Sequence, residues 1–489
     1  MKNLAAENTN TSLLTLNELL EVVRGSVVGN FDSSLFSFKS VVTDSRNVVP
    51  YSLFVPLIGE FQDGHKYIPQ ALEKGASVVF VARCAFEKSS EELKKLAENN
   101  PKTAFILVEN TLYALQKTAE RYVEKFPDLI RVSVTGSSGK TTTKEIIASV
   151  LSEKYDVVCN KGNLNSETGL PLSCFEIRSE NQVALLEMGM NREGEIGELA
   201  EIFKPQFCAI TNIGTAHIGK LGSRQKIAEE KKKIFNFLKE DGIAVIPEND
   251  DFSDFLAEGV KGKIVFYGKN VKNNGIEFLS DDGIDGTSFK LDGETVHLAI
   301  PGSYNYLNAL AAVEIGHALG LSSRQIKNGI EKVKPLNGRS RILKGKYKIL
   351  EDCYNANPDS MEKALEFAGS IKFSGKKIFV LGSMLELGQE SCEAHKKAGL
   401  EAVRGGADMI VFVGKDMLSG FECAKSCGQR AENLRLEYFE HSDEDSIRKI
   451  AEIIKNFAVE GDFILLKASH GIALERLVPL LNGGGTENA

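Results

Sequence analysis

The chain has 489 residues, of which 42% are hydrophobic and 26% are charged, and its formal net charge is −8. This length exceeds what one hydrophobic core supports and predicts about three domains, and the acidic balance argues against a nucleic-acid-binding protein. The sequence has no secretory signal and no run of ~18 apolar residues, so we expect no membrane insertion and a cytoplasmic location.

The apolar pattern before residue 110 predicts a small α/β domain. The runs Leu53–Leu57 and Ala76–Ala82 are typical of buried strands, and the stretch between them, Tyr67–Lys74, is helical in pattern. We assign this N-terminal domain to residues 1–109.

A central domain, residues 110–336, begins with an amphipathic helix over Asn110–Phe126. Three apolar runs then alternate with helical patterns, which is typical of a parallel sheet covered on both faces. The predicted strands are Ile130–Val134, Val183–Glu187 and Cys208–Asn212.

The helical pattern breaks around Pro335–Gly338, and a third domain, residues 337–489, follows. Its strands again alternate with helices, which predicts a Rossmann-like fold and an α/β class for the whole chain. These strands are Tyr347–Leu350, Lys377–Leu381, Met409–Val413 and Phe463–Leu466. The Gly-rich end, residues 482–489, is expected to be disordered.

The eight cysteines are scattered, and we expect reduced thiols. Cys423 and Cys427 lie one helical turn apart, a spacing that coincidence explains better than a metal site does.

The segment from Val132 to Glu145 joins a β-branched strand through a Gly-rich turn to a helix. Glycines let backbone N–H groups converge on an anion, and the helix N-terminus adds the positive end of its dipole. Lys140 would then reach the β- and γ-phosphates, and the Thr141 hydroxyl could bind Mg²⁺. Because Val134 stands where the full P-loop has glycine, this is the shorter Thr-Gly-x-x-Gly-Lys-Thr form, and a solvated Gly/Ser turn is the alternative. The predicted triphosphate-binding residues are Thr135, Gly136, Ser137, Ser138, Gly139, Lys140, Thr141 and Thr142.

Two further candidates follow neighbouring strands. Glu187 ends an apolar strand, and His217 follows the next one, so both are expected at the sheet edge where ligands bind in α/β folds. Glu187 could hold Mg²⁺, or be a solvated turn acid. His217 could serve a metal or a phosphate, or be purely structural.

Composition leaves the roles of several other residues open. Lys231 lies in a run that would ordinarily be the exposed face of a charged helix. Asn305 and Asn308 lie one helical turn apart and could bond a purine or ribose, although helix capping explains Asn305 almost as well.

Acidic and amide groups at a later strand end predict a second ligand-binding face. Arg339 precedes this strand, and Asp352, Asn355 and Asn357 follow its apolar core. A nucleotide domain completed by groups from a neighbouring domain favours a cleft closed by domain motion, and hence chemistry over binding alone.

Taken together, these motifs resemble the Mur ligases of peptidoglycan synthesis, which join an amino acid or dipeptide to a UDP-muramoyl substrate. The resemblance spans nearly the whole chain and rests on motifs that occur in the family's order. They are Thr135–Thr142, Glu187, His217, Lys231 with Ile234-Phe235, Asn305 with Asn308, Gly338-Arg339, Asp352 and Lys467–His470.

Within the family, three segments look like the member that adds D-Ala-D-Ala to UDP-N-acetylmuramoyl-tripeptide: Gly162–Pro171, Glu187–Ile196 and Tyr354–Met361. The resemblance implies that ATP phosphorylates the tripeptide's terminal carboxylate to an acyl phosphate, which the dipeptide amine attacks. ADP and phosphate are released, and the protein is expected to be a monomer.

The resemblance also implies roles for individual residues. Lys140, Arg339 and two Mg²⁺ ions would neutralise the transferring phosphoryl group. Thr141 and Glu187 would hold one ion, and His217 and a carbamylated Lys231 the other. Thus the implied catalytic set is Lys140, Glu187, His217, Lys231 and Arg339.

The remaining implied contacts are with the nucleoside and the substrate. Asn305, Asn308 and Asp352 would hold the nucleoside, and Asn163, Asn165 and Thr168 would line the muramoyl peptide path. The UDP end would bind near Asp44, Ser45 and Arg46 and near Asp63–His65, while Asn355 and Asn357 would face the substrate.

Four positions depart from the family pattern: Tyr304 replaces a frequent His, Ser383 an Asp, Ser166 an Asn and His470 an Arg. The last matters most, because a weaker or titratable cation could change how a carboxylate of the dipeptide is recognised.

Two alternatives remain open at this point. A family member that adds a single amino acid, or a folylpolyglutamate synthase, would share the ATP machinery, although the Asn-Leu-Asn and Asn-Ala-Asn-Pro segments argue against both. A catalytically silent, nucleotide-gated binding module is the alternative from another functional class.

Overall fold

The structure is a computed structural model that describes residues 12–269, 275–428 and 434–483. The described chain divides into two compact units. The first contains the residues up to Val132 together with Asp156–Met190 and Gly194–Pro205, and the second contains the rest. The predicted boundaries at residues 109 and 336 stay predictions.

The first unit opens with a five-stranded sheet of order β1-β5-β4-β3-β2, in which only β1 is antiparallel to its neighbour. Its elements are α1 (Leu16–Val23), β1 (Ser26–Val28), β2 (Ser40–Val42), β3 (Ser52–Phe54), α2 (Ile68–Glu73), β4 (Ala76–Ala82), α3 (Arg83–Lys88), α4 (Ser90–Asn99), β5 (Ala104–Val108) and α5 (Thr111–Val123). Asn110 caps α5 by accepting the Tyr113 N–H, so the predicted helix begins within one residue of its expected start and ends at Val123 instead of Phe126.

The next strand, β6 (Ile130–Thr135), begins in the first unit and ends in the second. The elements that follow it are α6 (Lys140–Leu151), β7 (Val157–Cys159), α7 (Gly169–Cys174), β8 (Val183–Glu187) and α8 (Glu195–Phe203). Helix α6 belongs to the second unit, whereas β7, α7, β8 and α8 belong to the first. β7 and β8 run parallel, with Val157 opposite Val183, and every residue of β8 is buried.

The second unit continues with parallel strands β9, β10 and β11 and then an antiparallel sheet, β12-β13-β14, that the sequence analysis did not predict. The elements are β9 (Phe207–Ile210), α9 (Ile218–Leu221), α10 (Arg224–Lys232), β10 (Ile243–Pro247), α11 (Ser253–Ala257), β11 (Lys263–Tyr267), β12 (Ile276–Asp281), β13 (Thr287–Leu291), β14 (Glu294–Leu298), α12 (Ser303–Ala318) and α13 (Ser323–Lys332). Strand β9 ends two residues before the predicted boundary.

The C-terminal part of this unit is a six-stranded sheet of order β15-β16-β20-β17-β18-β19, parallel except for the edge strand β15. Its elements are β15 (Arg341–Lys344), β16 (Lys348–Asp352), α14 (Pro358–Ser370), β17 (Lys377–Gly382), α15 (Ser391–Arg404), β18 (Met409–Val413), α16 (Leu418–Gly428), β19 (Arg435–Phe439), α17 (Glu444–Phe457), β20 (Phe463–Lys467) and α18 (Leu477–Asn482).

Two hydrophobic clusters show that helices cover both faces of this C-terminal sheet. One joins the sheet to α17 and α18, through side chains such as Ile450 and Leu477. The other joins it to α14, α15 and α16, through side chains such as Leu365 and Ala402. The predicted Rossmann-like arrangement and the α/β class are therefore confirmed. The prediction of a disordered tail is wrong at Asn482, which ends α18, and residues 484–489 lie outside the described residues.

Candidate functional site

The Gly-rich turn between β6 and α6 has the backbone geometry of an anion cradle. Gly139 caps α6 with a φ of 79°, a left-handed value that glycine adopts without strain. A Cβ at this position would lie 2.7 Å from Asn308 Oδ1, so close packing also requires glycine. Lys140 and Thr141 form the first turn of the helix, whose N–H groups have no carbonyl partner within the helix itself.

The segment after β9 holds this turn in place, which the sequence analysis did not predict. Ser137 N–H donates to the Asn212 carbonyl at 3.0 Å, and Ser138 N–H donates to Asn212 Oδ1 at 3.1 Å. The Thr211 hydroxyl and the Asn212 amide both donate to the Ser138 carbonyl. The only signal in the sequence was a polar Thr-Asn pair at the end of an apolar run.

Two lysines converge on one carbonyl oxygen of the turn. Lys140 Nζ and Lys231 Nζ each donate to the Gly136 carbonyl at 2.9 Å, and Lys140 Nζ lies 3.5 Å from the Ser137 carbonyl. Lys231 is 1% exposed, so its interpretation as part of a solvated helix face is wrong. Burying an ammonium is costly unless it meets an acceptor or an anion, and the Gly136 carbonyl is one such acceptor for Lys231.

His217 lies on the loop before α9 and is held neutral. Its side chain is 20% exposed. Burial, reinforced by the nearby positive charges of Lys140, Lys231 and Lys220, lowers its pKa to about 3. Its buried Nδ1 makes no hydrogen bond to any residue that the structure describes, and Glu386 Oε2 is 3.5 Å away without hydrogen-bond alignment.

Glu187, in the first unit, is a buried carboxylate at the carboxyl end of β8. It is 1% exposed, which rules out the interpretation as a solvated turn acid. Asn165 Nδ2 donates to Glu187 Oε1 at 2.7 Å, and Asn160 Oδ1 accepts the Glu187 N–H at 3.0 Å. The structure therefore brings together two predicted site residues, Glu187 and Asn165, that were assigned to different ligands.

Asn163 and Thr168, the two other residues predicted to line the muramoyl peptide path, differ in their hydrogen bonding. Asn163 is exposed, and its carbonyl accepts the Asn165 N–H at 2.7 Å. Thr168 precedes α7 and shares a hydroxyl hydrogen bond of 3.3 Å with Ser166.

Asn305 and Asn308 lie on one face of α12 and are both buried. Asn308 Nδ2 donates to Asn305 Oδ1 at 2.9 Å, and Asn305 Nδ2 donates to the Pro301 carbonyl at 2.7 Å. Gly302 is the N-cap of α12, so Asn305 is not the cap, although its side chain does tie the helix to the preceding turn.

An ion pair with the buried Lys467 fixes the partly exposed Asp352 in the C-terminal part. Lys467 Nζ, 3% exposed, lies 2.7 Å from Asp352 Oδ2, and Asp352 Oδ1 accepts the Ser340 N–H at 3.0 Å. The Arg339 guanidinium stacks on the Tyr354 ring at 4.0 Å, and that ring in turn stacks on His470. His470, where the family commonly has Arg, therefore contacts the same Tyr354 ring as Arg339.

The amides after β16 serve both the fold and the phosphate loop. Asn357 Oδ1 caps α14 by accepting the Ser360 N–H, while Asn357 Nδ2 donates to Ser138 Oγ at 3.2 Å. Asn355 Oδ1 accepts the Ala356 N–H. Asp359, which the sequence analysis did not select, accepts the N–H and the hydroxyl of Thr215 at 2.6 and 2.8 Å.

The predicted UDP end is a pair of tight polar turns in the first unit. Asp44 accepts the N–H and guanidinium of Arg46, and this hydrogen bonding lowers the pKa of Asp44 to about 2. Ser45 is buried and donates to Gln70 Oε1 at 2.6 Å. Asp63 contacts His65 Nδ1 at 2.6 Å, while His65 Nε2 accepts the Ala82 N–H, so Nδ1 carries the proton.

The structure narrows the kinds of ligand site available. Among the described residues, no three His, Cys, Asp or Glu side chains are grouped as metal ligands, and the cysteines are free thiols. Any metal would therefore draw on a mixed set of side chains and on ligand oxygens. No described helix combines the length and apolar character that crossing a bilayer requires.

Models of one protein family match three parts of the chain. Three family models match: the Mur ligase middle domain at residues 134–316, the Mur ligase glutamate ligase domain at 338–470 and the Mur ligase family catalytic domain at 37–123.

Full-length relatives carry one activity in their names. UDP-N-acetylmuramoyl-tripeptide–D-alanyl-D-alanine ligase of Treponema pallidum is 38% identical over 96% of this chain and 99% of its own length. A crystal structure of MurF from Acinetobacter baumannii is 30% identical, with a TM-score of 0.82 over 96% of this chain and 98% of its own. MurF of Thermotoga maritima in complex with ADP is 29% identical, with a TM-score of 0.74 over 91% of this chain and 97% of its own. The chain therefore belongs to the Mur ligase family.

Proposed function

We propose that the chain catalyses the ATP-dependent joining of D-Ala-D-Ala to UDP-N-acetylmuramoyl-tripeptide, with release of ADP and phosphate. The observation that carries this proposal is similarity over the full length to relatives named for that reaction, at 38% identity in the first case. The same similarity favours the dipeptide-adding reaction over single amino-acid addition and over folylpolyglutamate synthesis.

The phosphate loop supports the ATP part of the proposal. The first turn of α6 and the Gly139 cap present backbone N–H groups where a polyphosphate would bind. Lys140 donates to loop carbonyls, and a phosphate oxygen would be a stronger acceptor because it is charged. Lys140 therefore moves from Gly136 to the β- and γ-phosphates when ATP binds. The ADP complex of the Thermotoga relative supports the use of ATP by this chain.

The side chains fit a divalent cation. His217 is neutral and retains a ring lone pair, and Glu187 is a buried carboxylate. Oxygen ligands suit Mg²⁺, which would supply charge neutralisation at the transferring phosphoryl group. We assign Thr141 and Glu187 to one ion and His217 and Lys231 to a second.

Carbamylation of Lys231 is part of this proposal. Lys140 and Lys231 both point an ammonium at the Gly136 carbonyl, and like charges so placed repel. A carbamate on Lys231 would replace the second positive charge with a carboxylate-like oxygen ligand. This change would remove the repulsion between the two ammonium groups. It would also give the second Mg²⁺ an oxygen ligand beside His217.

The reaction then proceeds in two steps. The terminal carboxylate of the tripeptide attacks the γ-phosphorus, which forms an acyl phosphate and breaks the bond to ADP. The dipeptide amine next attacks the acyl carbon, and phosphate leaves as the peptide bond forms. Lys140 and Arg339 stabilise the charge on the phosphoryl oxygens, and Arg339 is held for this by the Tyr354 ring.

The other predicted residues complete the substrate contacts. Asn305, Asn308 and Asp352 face the nucleoside, while Asn355, Asn357, Asn163, Asn165 and Thr168 line the peptide. The UDP end binds at Asp44, Ser45, Arg46 and the Asp63–His65 turn. The monomeric state, the cytoplasmic location and the absence of nucleic-acid partners stay predictions.

The experiment supplies ATP, Mg²⁺ and UDP-N-acetylmuramoyl-tripeptide with either D-Ala-D-Ala or a free diamino acid, and measures phosphate release and product mass. We expect release and a pentapeptide product only with D-Ala-D-Ala. Release only with the diamino acid would assign the chain to the amino-acid-adding reaction. ATP binding without any product would revive the binding-module interpretation.

Variants of α10 test the role of Lys231. Lys231→Met should abolish phosphate release, whereas Lys226→Met, at an exposed position of the same helix, should leave it unchanged. Equal activity of the two variants would contradict the assignment.

A further inference from the structure

The segment that follows β17, residues 383–390, packs directly against α9. A Cβ placed on Gly219 of α9 would lie 2.7 Å from the Glu386 carbonyl oxygen and 2.9 Å from the Leu387 carbonyl carbon. The two backbones approach this closely only because residue 219 has no side chain. The C-terminal part is therefore docked against the loop and helix that carry His217.

Glu386 lies at the centre of this docked segment. Its Oε2 is 3.5 Å from His217 Nδ1, and its Oε1 is 3.4 Å from Lys220 Nζ. Its backbone has a φ of 67°, which is uncommon for a residue with a side chain and persists only where the surroundings impose it. The surroundings thus fix the Glu386 backbone beside α9, and its half-exposed carboxylate lies within ion-pair distance of His217.

His217 needs an acceptor or donor partner at this point. Its Nδ1 is buried and makes no hydrogen bond to any residue in the described ranges. Histidines that bind metals almost always donate the N–H of the other ring nitrogen to a carboxylate, a backbone carbonyl or water, which fixes the tautomer and the ring orientation. Glu386 is a carboxylate already within ion-pair distance of that nitrogen.

We propose that Glu386 is a positioning residue, which accepts the Nδ1–H of His217 and so presents Nε2 to the metal only when segment 383–390 is docked on α9. The inference rests on the proposed metal role of His217. Docking of the C-terminal part would in this way control metal affinity at the phosphate loop. Two further contacts belong to the same docked arrangement: Asp359 with Thr215, and Asn357 with Ser138.

The test measures Mn²⁺ binding by electron paramagnetic resonance in the presence of saturating ADP, with the full-length protein. Loss of a carboxylate behind a metal-binding His typically weakens metal affinity 10- to 100-fold, so Glu386→Ala should weaken Mn²⁺ binding by about 10-fold or more. Glu390→Ala removes an exposed carboxylate from the same segment and should change affinity less than about two-fold. Equal Mn²⁺ affinity of Glu386→Ala and the unmodified protein would overturn the proposal.

A second variant tests the docking of segment 383–390 on α9 while leaving the Glu386 carboxylate in place. Alanine is favoured over glycine within a helix, so Gly219→Ala keeps α9 folded while its methyl group collides with the Glu386 backbone. We expect it to weaken Mn²⁺ binding although Glu386 is intact, and the double variant Gly219→Ala/Glu386→Ala to be no weaker than the single ones. Unchanged binding by Gly219→Ala would show that docking does not matter and would refute the coupling.

The imidazole itself provides a direct readout. Long-range ¹H–¹⁵N spectra of the Mn²⁺-free, Mg²⁺-loaded protein should show His217 protonated at Nδ1, and this signal should change in Glu386→Ala but not in Glu390→Ala. A proton on Nε2 in the unmodified protein would contradict the proposal.

Failure of the proposed ligase reaction would appear as missing product with unmodified protein. Failure of this inference would leave product formation intact and Mn²⁺ affinity independent of Glu386.

Discussion

Replacing Gly139 with alanine tests the geometry of the phosphate loop. The substitution should lower stability in two ways, through backbone strain and through a steric clash. A left-handed φ of 79° costs an alanine about 1–2 kcal/mol. The new Cβ would also lie 2.7 Å from Asn308 Oδ1, and moving the buried Asn308 breaks its hydrogen bond to Asn305, at about 1 kcal/mol. We therefore expect Gly139→Ala to lower the free energy of unfolding by about 2–3 kcal/mol.

Gly222 provides a matched control. Its φ of 84° is equally left-handed, but nothing lies within 4 Å of a Cβ built there. Gly222→Ala should therefore cost only the backbone part, about 1–2 kcal/mol. The double variant Gly139→Ala/Asn308→Ala should recover the steric part, which a double-mutant cycle measures.

The assay is urea unfolding followed by far-ultraviolet circular dichroism, because the chain has no tryptophan to report on unfolding. Binding of a non-hydrolysable ATP analogue is measured in parallel by calorimetry, and we expect at least a 10-fold loss for Gly139→Ala and little change for Gly222→Ala. Equal stability losses for the two variants, with no coupling to Asn308, would refute the close approach of Gly139 and Asn308.

Three further predictions follow from buried polar contacts. Asn165→Ala removes the hydrogen bond to the buried Glu187 carboxylate, so it should lower unfolding free energy by about 1.5–3 kcal/mol; a loss below about 0.5 kcal/mol would show that Glu187 finds another donor. Lys467→Met removes the ion-pair partner of Asp352, whose side chain is 14% exposed and still accepts the Ser340 N–H, so it should cost about 1.5–3 kcal/mol, while adding Asp352→Asn should restore most of it; additive losses would contradict the pairing. His217 has a folded pKa of about 3, below its unfolded value of about 6.5, so the folded state binds fewer protons and stability should fall as pH drops through that window. Parallel stability curves of the unmodified protein and His217→Gln between pH 6.5 and 4 would contradict this.

The sequence predicted elements best where burial is continuous. Strands Val183–Glu187 and Met409–Val413 have the predicted bounds because every residue in them is apolar or lies at the ligand edge. Strand β9 ends at Ile210 instead of Asn212, because Thr211 and Asn212 turn to hold the phosphate loop. Sheet β12-β13-β14 was missed because β12 is largely exposed and mixes acidic and apolar residues without a clear period.

The candidate site likewise contains residues that local sequence patterns identify and residues that only the folded structure brings together. A Gly-rich turn and a carboxylate at a strand end are local patterns, so the phosphate loop and the position of Glu187 were predictable. The burial of Lys231 was not, because a run of Glu and Lys looks solvent-exposed until the fold covers one face. The contacts of Asp359 with Thr215 and of Asn357 with Ser138 join residues that lie more than 140 positions apart, which periodicity does not reveal.

The central claim is that the tripeptide carboxylate attacks ATP before the dipeptide amine reacts. The most direct measurement uses UDP-N-acetylmuramoyl-tripeptide labelled with ¹⁸O in its terminal carboxylate and follows the released phosphate by ³¹P NMR. An acyl phosphate requires that one labelled oxygen leave with the phosphoryl group, so the released phosphate should carry one ¹⁸O. Phosphate released without ¹⁸O while the pentapeptide product forms would contradict the account.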